Sequence, residues 1–399
     1  MTGALLAVCL LLQASDALAR PAGPAAGGWL TEQLAARVRR NPPLGAVPAD
    51  PTNRWADSDA AAALGHRIFF DERFSASGRV ACTTCHDPAH GFSDPRPLAK
   101  GEGTGPRHSM RVLNAAHQRW FTWDGRADTL WSQAVQPFET PLEMNLPRAK
   151  VVAQVAGDSI LRDAYRRAFG QAPPAADAAP ADVDAAFARI GKALAAYERK
   201  LVTGPSAYDR WWTRRAAGDP KADDALTDAQ RRGLALFFGK ANCFQCHHGA
   251  LFSDGEFHML GIPPRDGGQP TDAGRYAVIE RIRSDPFNAA GPHSDDPQGR
   301  QAAISAALVR TPDQWGEFRT PSLRNVAQTP PYMHAGQMAT LPDVVRFYST
   351  LEGATSLDHH RESVLVKLGL SAAEQSDLVA FLEALTGPLP GAPWGVPPK

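Results

Sequence analysis

Apolar side chains recur along this chain at helical spacing. Leu64, Ile68 and Phe69 fall on one face of residues 60–70, and Leu130, Gln133 and Ala134 share related faces of residues 126–136. The longest stripe runs from Val183 to Leu201, where Phe187, Ile190, Leu194 and Tyr197 align. That period predicts an amphipathic helix. Thr227 with Gln230, and Ser371 with Glu374, have capping-box spacing and predict two further helix starts. No run alternates apolar and polar residues as a half-buried strand does. The pattern predicts an all-α protein.

Breaks in the pattern suggest its organisation. The stretch Gln171–Asp182, QAPPAADAAPAD, reads as an exposed loop, and residues 266–272 and 284–300 are loop-like too. The predicted domain boundary lies at Gly204-Pro205, giving domains of residues 20–204 and 205–399. At the start, residues 5–14 (LLAVCLLLQA) form an apolar run too short to span a bilayer. Ala17-Leu18-Ala19 follows with the small residues of a cleavage site. Residues 1–19 therefore read as a secretory signal peptide, although Met1-Thr2-Gly3 lacks the usual positive charge. No other segment reaches membrane-spanning length. The expectation is an exported, periplasmic protein with no membrane insertion after cleavage.

Composition narrows the function classes. The 399 residues include 42 Lys+Arg and 42 Asp+Glu, a net charge of +0. That balance makes no case for nucleic acid or an anionic membrane as partner. With 43% hydrophobic and 21% charged residues the chain is globular, not disordered. Five cysteines are too few for a disulfide-dense scaffold. Cys9 belongs to the predicted signal, so four remain, in two close pairs.

Those pairs carry the chemistry. Cys82-Thr83-Thr84-Cys85-His86 and Cys243-Phe244-Gln245-Cys246-His247 both have the c-type haem attachment pattern. Two thiols at this spacing can form thioethers with the two vinyl groups of one porphyrin. The adjacent imidazole can then reach the iron as proximal ligand. A structural zinc site would set its Cys pairs about 15–20 residues apart. A thioredoxin-like dithiol would sit in a βαβ context. Two disulfides would leave both trailing histidines unexplained. Two covalently bound haem c groups are the expected cofactors. A weak internal repeat surrounds the motifs. Phe69-Phe70 precedes and Phe92-Ser93-Asp94 follows the first, and Phe237-Phe238 and Phe252-Ser253-Asp254 flank the second.

The sixth position on each iron decides function, because two strong protein ligands suit electron transfer and an open side suits an oxidant. Met259, Met333, Met338, His90, His108, His117, His258 and His334 are all candidates, and composition does not choose among them.

The stretch from Leu64 to Leu385 resembles the bacterial di-haem cytochrome c peroxidases and the related MauG-type enzymes. The blocks that carry the resemblance are LGHRIFFDERFSASGRVACTTCHDP, FTWDGRADTLWSQAVQPFETPLEM, LALFFGKANCFQCHHG and RTPSLRNVAQTPPYMHAGQMATLPDVVRFY. The resemblance implies two cytochrome c-like domains. A peroxide-binding haem sits in the first and an electron-relay haem in the second. His86 and His247 are then the proximal ligands. Gln133 and Glu143 fall at distal-pocket positions, with Glu143 as the acid/base that moves the peroxide proton. Trp123 matches a tryptophan between the haems. Asn114, Thr329 and Pro331 match a calcium site, where amide and carbonyl oxygens suit a hard cation.

Three departures refine that picture. Relatives that need reductive activation carry a removable His in the loop after the first motif. Here the loop reads KGEGTGPRHSM, with Glu102 near that place and His108 six residues on. This implies a first haem that is open without activation. At the position where those relatives bind the relay haem with Met, this chain has Tyr348, as MauG-type members do. The Trp that precedes the second motif in the enzyme completing a tryptophan-derived quinone is Ala241 here, so that protein substrate is not implied. The expected activity is reduction of hydrogen peroxide at the expense of a small redox protein or a protein substrate. The alternatives are a peroxidase fed by a small cytochrome c or cupredoxin, and a di-haem cytochrome without substrate chemistry.

Overall fold

The computed structural model describes residues 28–175, 177–355 and 365–399. The expected signal segment 1–19, with Cys9, lies outside them. The helices are α1 (Glu32–Val38), α2 (Asp59–Phe69), α3 (Leu130–Glu139), α4 (Arg148–Gly157), α5 (Ser159–Phe169), α6 (Pro180–Glu198), α7 (Ala207–Ala216), α8 (Asp228–Phe238), α9 (Ile279–Ser284), α10 (Arg300–Ala306), α11 (Leu341–Thr350) and α12 (Ala372–Glu383). Short 3₁₀ turns and long irregular segments join them. Among the described residues the only sheet is a two-residue antiparallel pair, Phe257–His258 against Phe318–Arg319. The protein is mostly helical, and no described helix is long and apolar enough to cross a membrane.

Local chemistry sets the helix ends. Thr227 and Ser371 form the expected capping boxes at the starts of α8 and α12. The helix expected over 126–136 starts only at Leu130, because Thr129 caps it by accepting the Ser132 amide at 3.0 Å. The long central helix starts at Pro180, whose missing N–H costs nothing in a first turn, and ends at Glu198. The loop expected over 171–182 is shorter accordingly.

Two large apolar cores and a small cluster around Trp120, Val278 and Ile282 divide the described residues. The first is built by residues from Ala61 to Leu201, on α2–α6 and the segments between them, together with Phe287. The second draws on α7, α8, α11 and α12. Their boundary falls close to Gly204-Pro205, but the termini are exchanged. Leu30, Ala35 and Val38 on and beside α1 pack into the second core. Leu389 and Trp394, near the other end, pack on the first. The packing units therefore differ from a simple division into 20–204 and 205–399. A short N-terminal helix cannot bury its apolar face alone and takes the nearest complementary surface.

One helix crossing in each large core turns on a glycine. An added Cβ on Gly65 of α2 would lie 2.1 Å from the Ala193 carbonyl oxygen of α6. On Gly233 of α8 it would lie 1.9 Å from that of Asp377 on α12. Each glycine precedes its Phe-Phe pair by four residues, so the repeat extends to this crossing. Gly65→Ala or Gly233→Ala gains helix propensity but forces the helices apart. The clash outweighs the gain, and each should lose about 2 kcal/mol or more in denaturant unfolding.

The repeat runs further than the sequence revealed. The bridge Phe121–Ala127 precedes α3 just as the bridge Tyr332–Met338 precedes α11, at one constant offset. The same offset relates Leu130–Glu139 to Leu341–Thr350, and the turn after Asn114 to the turn after Asn325. Thr122 and Met333, again equivalent, both have positive φ, 70° and 73°. Matching segments thus recur in the two halves, each half with a Cys-x-x-Cys-His turn and a capped helix after the bridge.

Candidate functional site

In each module a 3₁₀ turn, Cys82–Thr84 or Cys243–Gln245, presents the motif. All four cysteines are free thiols. Burial raises Cys82 and Cys85, and raises Cys243 to about 12. Such thiols are protonated at neutral pH, unlike the activated thiolates of a redox dithiol. The two pairs sit against different cores, which excludes one zinc site shared between them.

The imidazoles are placed for a metal. His247 Nδ1 lies 2.9 Å from the Phe252 carbonyl, an arrangement that leaves Nε2 bare. Phe252 can offer that carbonyl because its backbone turns back at φ 51°, as that of Phe92 does at 55°. Burial lowers His247 and pushes His86 down to about 4, so both are neutral. His86 Nδ1 is buried without a hydrogen-bond partner.

A cavity of about 580 Å³ opens at the second motif. Cys243, Cys246, His247, Tyr348 and Met259 line it, and so does Trp123 from the first module. Arg111 and Arg319 are among the arginines that line it, and neither has a carboxylate partner among the described residues. Arg111 donates to Thr329 Oγ1 at 3.2 Å and to the Ser322 carbonyl. Arg319 donates to the Thr122 carbonyl at 3.2 Å. Burial pushes both down to about 10, and at Arg319 the charge of Arg111 adds to the effect. Buried unpaired cations are costly, so the cavity calls for an anionic partner. A haem fits: apolar faces for the cavity, vinyl groups for the thiols, an iron for His247 and propionates for the guanidiniums.

The sixth-ligand candidates sort themselves. Tyr348 is near enough to Cys243 and Cys246 for their charges to raise its pKa, after burial, which is the larger cause. Met259 Sδ is engaged by the Gly261 amide at 3.1 Å. His334 stacks on Phe318 with ring centroids 3.9 Å apart. His258 is held by Asp254 at 2.8 Å, and exposed His90 by Asp87 at 2.7 Å. Met338 is buried in the bridge before α11, and His117 sits at the module junction near Arg199 and Arg324. Met333 lines the cavity from the turn before α11.

In the first module Gln133 and Pro137 lie one turn apart on α3, and Glu143 follows in the loop after it. Glu143 is near enough to Cys82 and Cys85 to raise both thiols. Its own pKa is raised. Burial dominates, opposed by Arg126 and Arg281 and reinforced by Asp124. The side chain is still one-third accessible, at 33%, so the group is desolvated by its walls yet open to a small molecule.

Arg126 holds this carboxyl, and sequence reading missed it. Its Nη2 lies 3.4 Å from Glu143 Oε1, and its Nε donates to Gln136 Oε1 at 3.1 Å. Gln136, not Gln133, therefore braces the arginine. Burial disfavours an Asp124 anion, but Arg126 and Arg107 outweigh it and hold that residue at about 2. Arg126→Met should remove the cation that steadies Glu143 and raise its pKa further. The acid limb of the peroxide reaction, read optically across pH, should move to higher pH, and an unmoved limb would refute the contact.

The loop that carries a removable His in some relatives is closed differently. Glu102 N donates to the Glu143 carbonyl at 2.8 Å, and Gly103 N to that of Leu142 at 3.1 Å. The Glu102 carboxylate turns away and accepts the Ser77 amide at 2.8 Å. His108 packs beside Ser93, with Nδ1 3.0 Å from the Arg96 carbonyl, close enough to lower His86. It belongs to the His86 surroundings and not to the Glu143 pocket. Trp123 donates its indole N–H to the His108 carbonyl at 2.9 Å, so it spans from that neighbourhood into the second cavity. Asn114 accepts the Thr203 amide at 2.9 Å. Asn325 makes the matching contact to Gly387 in the other module. Thr329 and the cis-linked Pro331 lie at the module junction.

Comparison with known proteins finds relatives along most of the chain. The model of the family described as di-haem cytochrome c peroxidase matches residues 59–217. The chain is 34% identical over 333 residues to the methylamine utilization protein MauG of Methylophilus methylotrophus, covering 82% of each. It is 33% identical over 354 residues to the cytochrome-c peroxidase IdrP1 of Pseudomonas sp. (strain SCT), covering 87% of this chain and 86% of that one. Among solved structures, a MauG-like protein associated with microbial copper homeostasis superposes with a TM-score of 0.67 at 27% identity, over 89% of this chain and 97% of that one.

Proposed function

The chain belongs to the di-haem cytochrome c peroxidase family, and from that premise we propose that it acts as a periplasmic MauG-like peroxidase, open to peroxide without prior reduction. It is a hydrogen-peroxide-dependent oxidoreductase with haem cofactors. In our reading both haems are covalent, one on Cys82, Cys85 and His86 and one on Cys243, Cys246 and His247. The signal segment 1–19 exports the chain, and the cytochrome c-like domains follow the two packing units.

One observation carries the MauG-like reading. At the offset that relates α3 to α11, Pro137 in the first module is equivalent to Tyr348 in the second. Proline has no donor atom for a metal, so that position leaves the first iron open. A phenol oxygen at the equivalent position can close the second. The Glu102 loop supports the same asymmetry, because it brings no histidine to the Glu143 side.

When bound, the haem irons supply the redox chemistry, taking two oxidising equivalents from each peroxide. The chain's own groups manage protons and access. Glu143, ionised, accepts the proton of entering peroxide and returns it to the distal oxygen as water leaves. Burial raises its pKa, which makes it a better proton acceptor when ionised than an ordinary carboxylate. Arg126, braced by Gln136 and Asp124, fixes the carboxyl. Gln133 offers an amide on the Pro137 face of α3. Trp123 links the two sites for electrons. Tyr348 provides a hard anionic oxygen, which favours the oxidised state of the second centre. Asn114, Thr329 and Pro331 are the oxygen donors of a calcium ion at the junction. The electron source is a small redox protein or a protein substrate.

Peroxide titration of the diferric protein, followed optically and by EPR, tests the reading. Both ferric haem signatures should change at once. Inertness until one-electron reduction would favour the cytochrome- or cupredoxin-fed branch. Two low-spin haems indifferent to cyanide would mean electron transfer alone.

A further inference from the structure

The peroxidase reading leaves open how oxidising equivalents leave the second site. Ala241, beside the second motif, cannot be oxidised. A different set of aromatic side chains touches that site. Behind His247, the Phe252 carbonyl faces Nδ1 at 2.9 Å. The Phe252 ring meets Tyr208 edge-on with centroids 5.0 Å apart. Tyr208 lies 5.7 Å from Trp211 of the same helix, α7. Trp211 lies 5.9 Å from Trp29. Phe252, Tyr208 and Trp211 are fully buried, whereas Trp29, just before α1, is half-buried at the protein surface. These separations are those of touching rings, so the line is unbroken from the second motif to solvent.

The two indoles share one base. Trp29 Nε1 donates to Asp223 Oδ2 at 2.9 Å, and Trp211 Nε1 to Asp223 Oδ1 at 2.9 Å. Asp223 is 30% accessible and paired with Arg215, so it can exchange a proton with water. Both indoles are thus next to a proton acceptor. Tyr208 is not, because its hydroxyl donates to the Asn41 carbonyl at 2.7 Å, and a carbonyl is a poor base. Burial also raises its pKa well above the ordinary value. Tyr208 therefore bridges, and the tryptophans are where charge can rest.

We propose that Trp211 and Trp29, with Asp223 as their proton acceptor, form an exit path that carries oxidising equivalents from the second site to a one-electron donor meeting the surface at Trp29. The inference rests on the peroxidase reading. In one passage an electron leaves Trp29 for Trp211, and Trp211 supplies one inward through Tyr208 and Phe252. The N–H proton of oxidised Trp29 shifts to Asp223 Oδ2 along the existing hydrogen bond. A reduced donor returns the electron, and Asp223 returns the proton. Two passages use the two equivalents of one peroxide. The path needs the N-terminal segment packed on the second core as observed, since Trp29 comes from it.

The test uses the diferric holoprotein with hydrogen peroxide and no donor. Mass spectrometry then locates oxygenated residues while the Soret bands report the haems. Oxygenation is expected at Trp29 and not at Trp55 or Trp394, which lie on the first core. In Trp211→Phe it should be lost from Trp29, and the oxidised Soret signature should last longer. In Trp29→Phe, which alters only the surface end, oxygenation should move to Trp211. Equal oxygenation of Trp29 in Trp211→Phe would overturn the path. So would an untouched Trp29 in the wild type while both Soret bands respond. Silent Soret bands would instead overturn the peroxidase reading, and the path with it.

Discussion

Glu143→Gln keeps both haems attached and slows the reaction with peroxide by about 10²-fold or more, the scale of a lost acid/base group. The amide is nearly the same size and can still accept from Arg126 at the 3.4 Å contact. It cannot take a proton. The substitution therefore separates proton transfer from pocket shape. It should also flatten the pH profile, because the group whose protonation sets the acid limb is gone. Burial raises the carboxyl, so in the wild type the limb lies above the usual carboxylate range. Below that pKa the group is protonated and cannot accept, and the rate falls as pH drops through it. Stopped-flow measurement of the Soret change at several pH values reads both effects. A near-normal rate would remove Glu143 from the mechanism.

The acid/base candidate was legible because a long block of sequence surrounds it. Its support was not. Arg126 follows Gly125 in a turn, and nothing in local spacing says that it reaches Glu143, 17 positions on, or Gln136 on the next helix. Arg111 and Arg319 illustrate the same limit. Each is an ordinary arginine in sequence, and only the fold reveals that both line one cavity, desolvated and without a carboxylate among the described residues. Helices announced by stripes and capping boxes, α2, α6, α8 and α12, are found where expected, because their signals are local. The crossing glycines Gly65 and Gly233 escaped notice, since their role depends on a partner helix more than 100 residues away. The exchanged termini escaped for a related reason. Which core a terminal segment covers depends on which apolar surface is left open, a property of the assembled modules.

Tyr348→Met should raise the reduction potential of the second haem by on the order of 0.1 V or more, within the roughly 0.8 V over which axial ligands tune haem iron. The argument is one of hardness. A phenolate is anionic and hard and stabilises ferric iron, whereas a thioether is neutral and soft and stabilises ferrous iron. Tyr348 lines the cavity near Cys243 and Cys246, and desolvation raises its pKa, so only a strong local cation would hold it ionised. Iron is such a cation. The thioether would also reach the metal from the same backbone position, because Met and Tyr both extend well beyond Cβ. With Met in place the diferric protein should lose its direct response to peroxide at the second haem, since that centre no longer favours its oxidised state. Tyr348→Phe separates the two effects: it removes the ligand without supplying another and should leave a haem that binds cyanide. Spectroelectrochemistry of the three proteins gives the decision. If the potential of Tyr348→Met equals that of the wild type, the ligand is another side chain of the same cavity, and Met333 in the turn before α11 becomes the next one to replace.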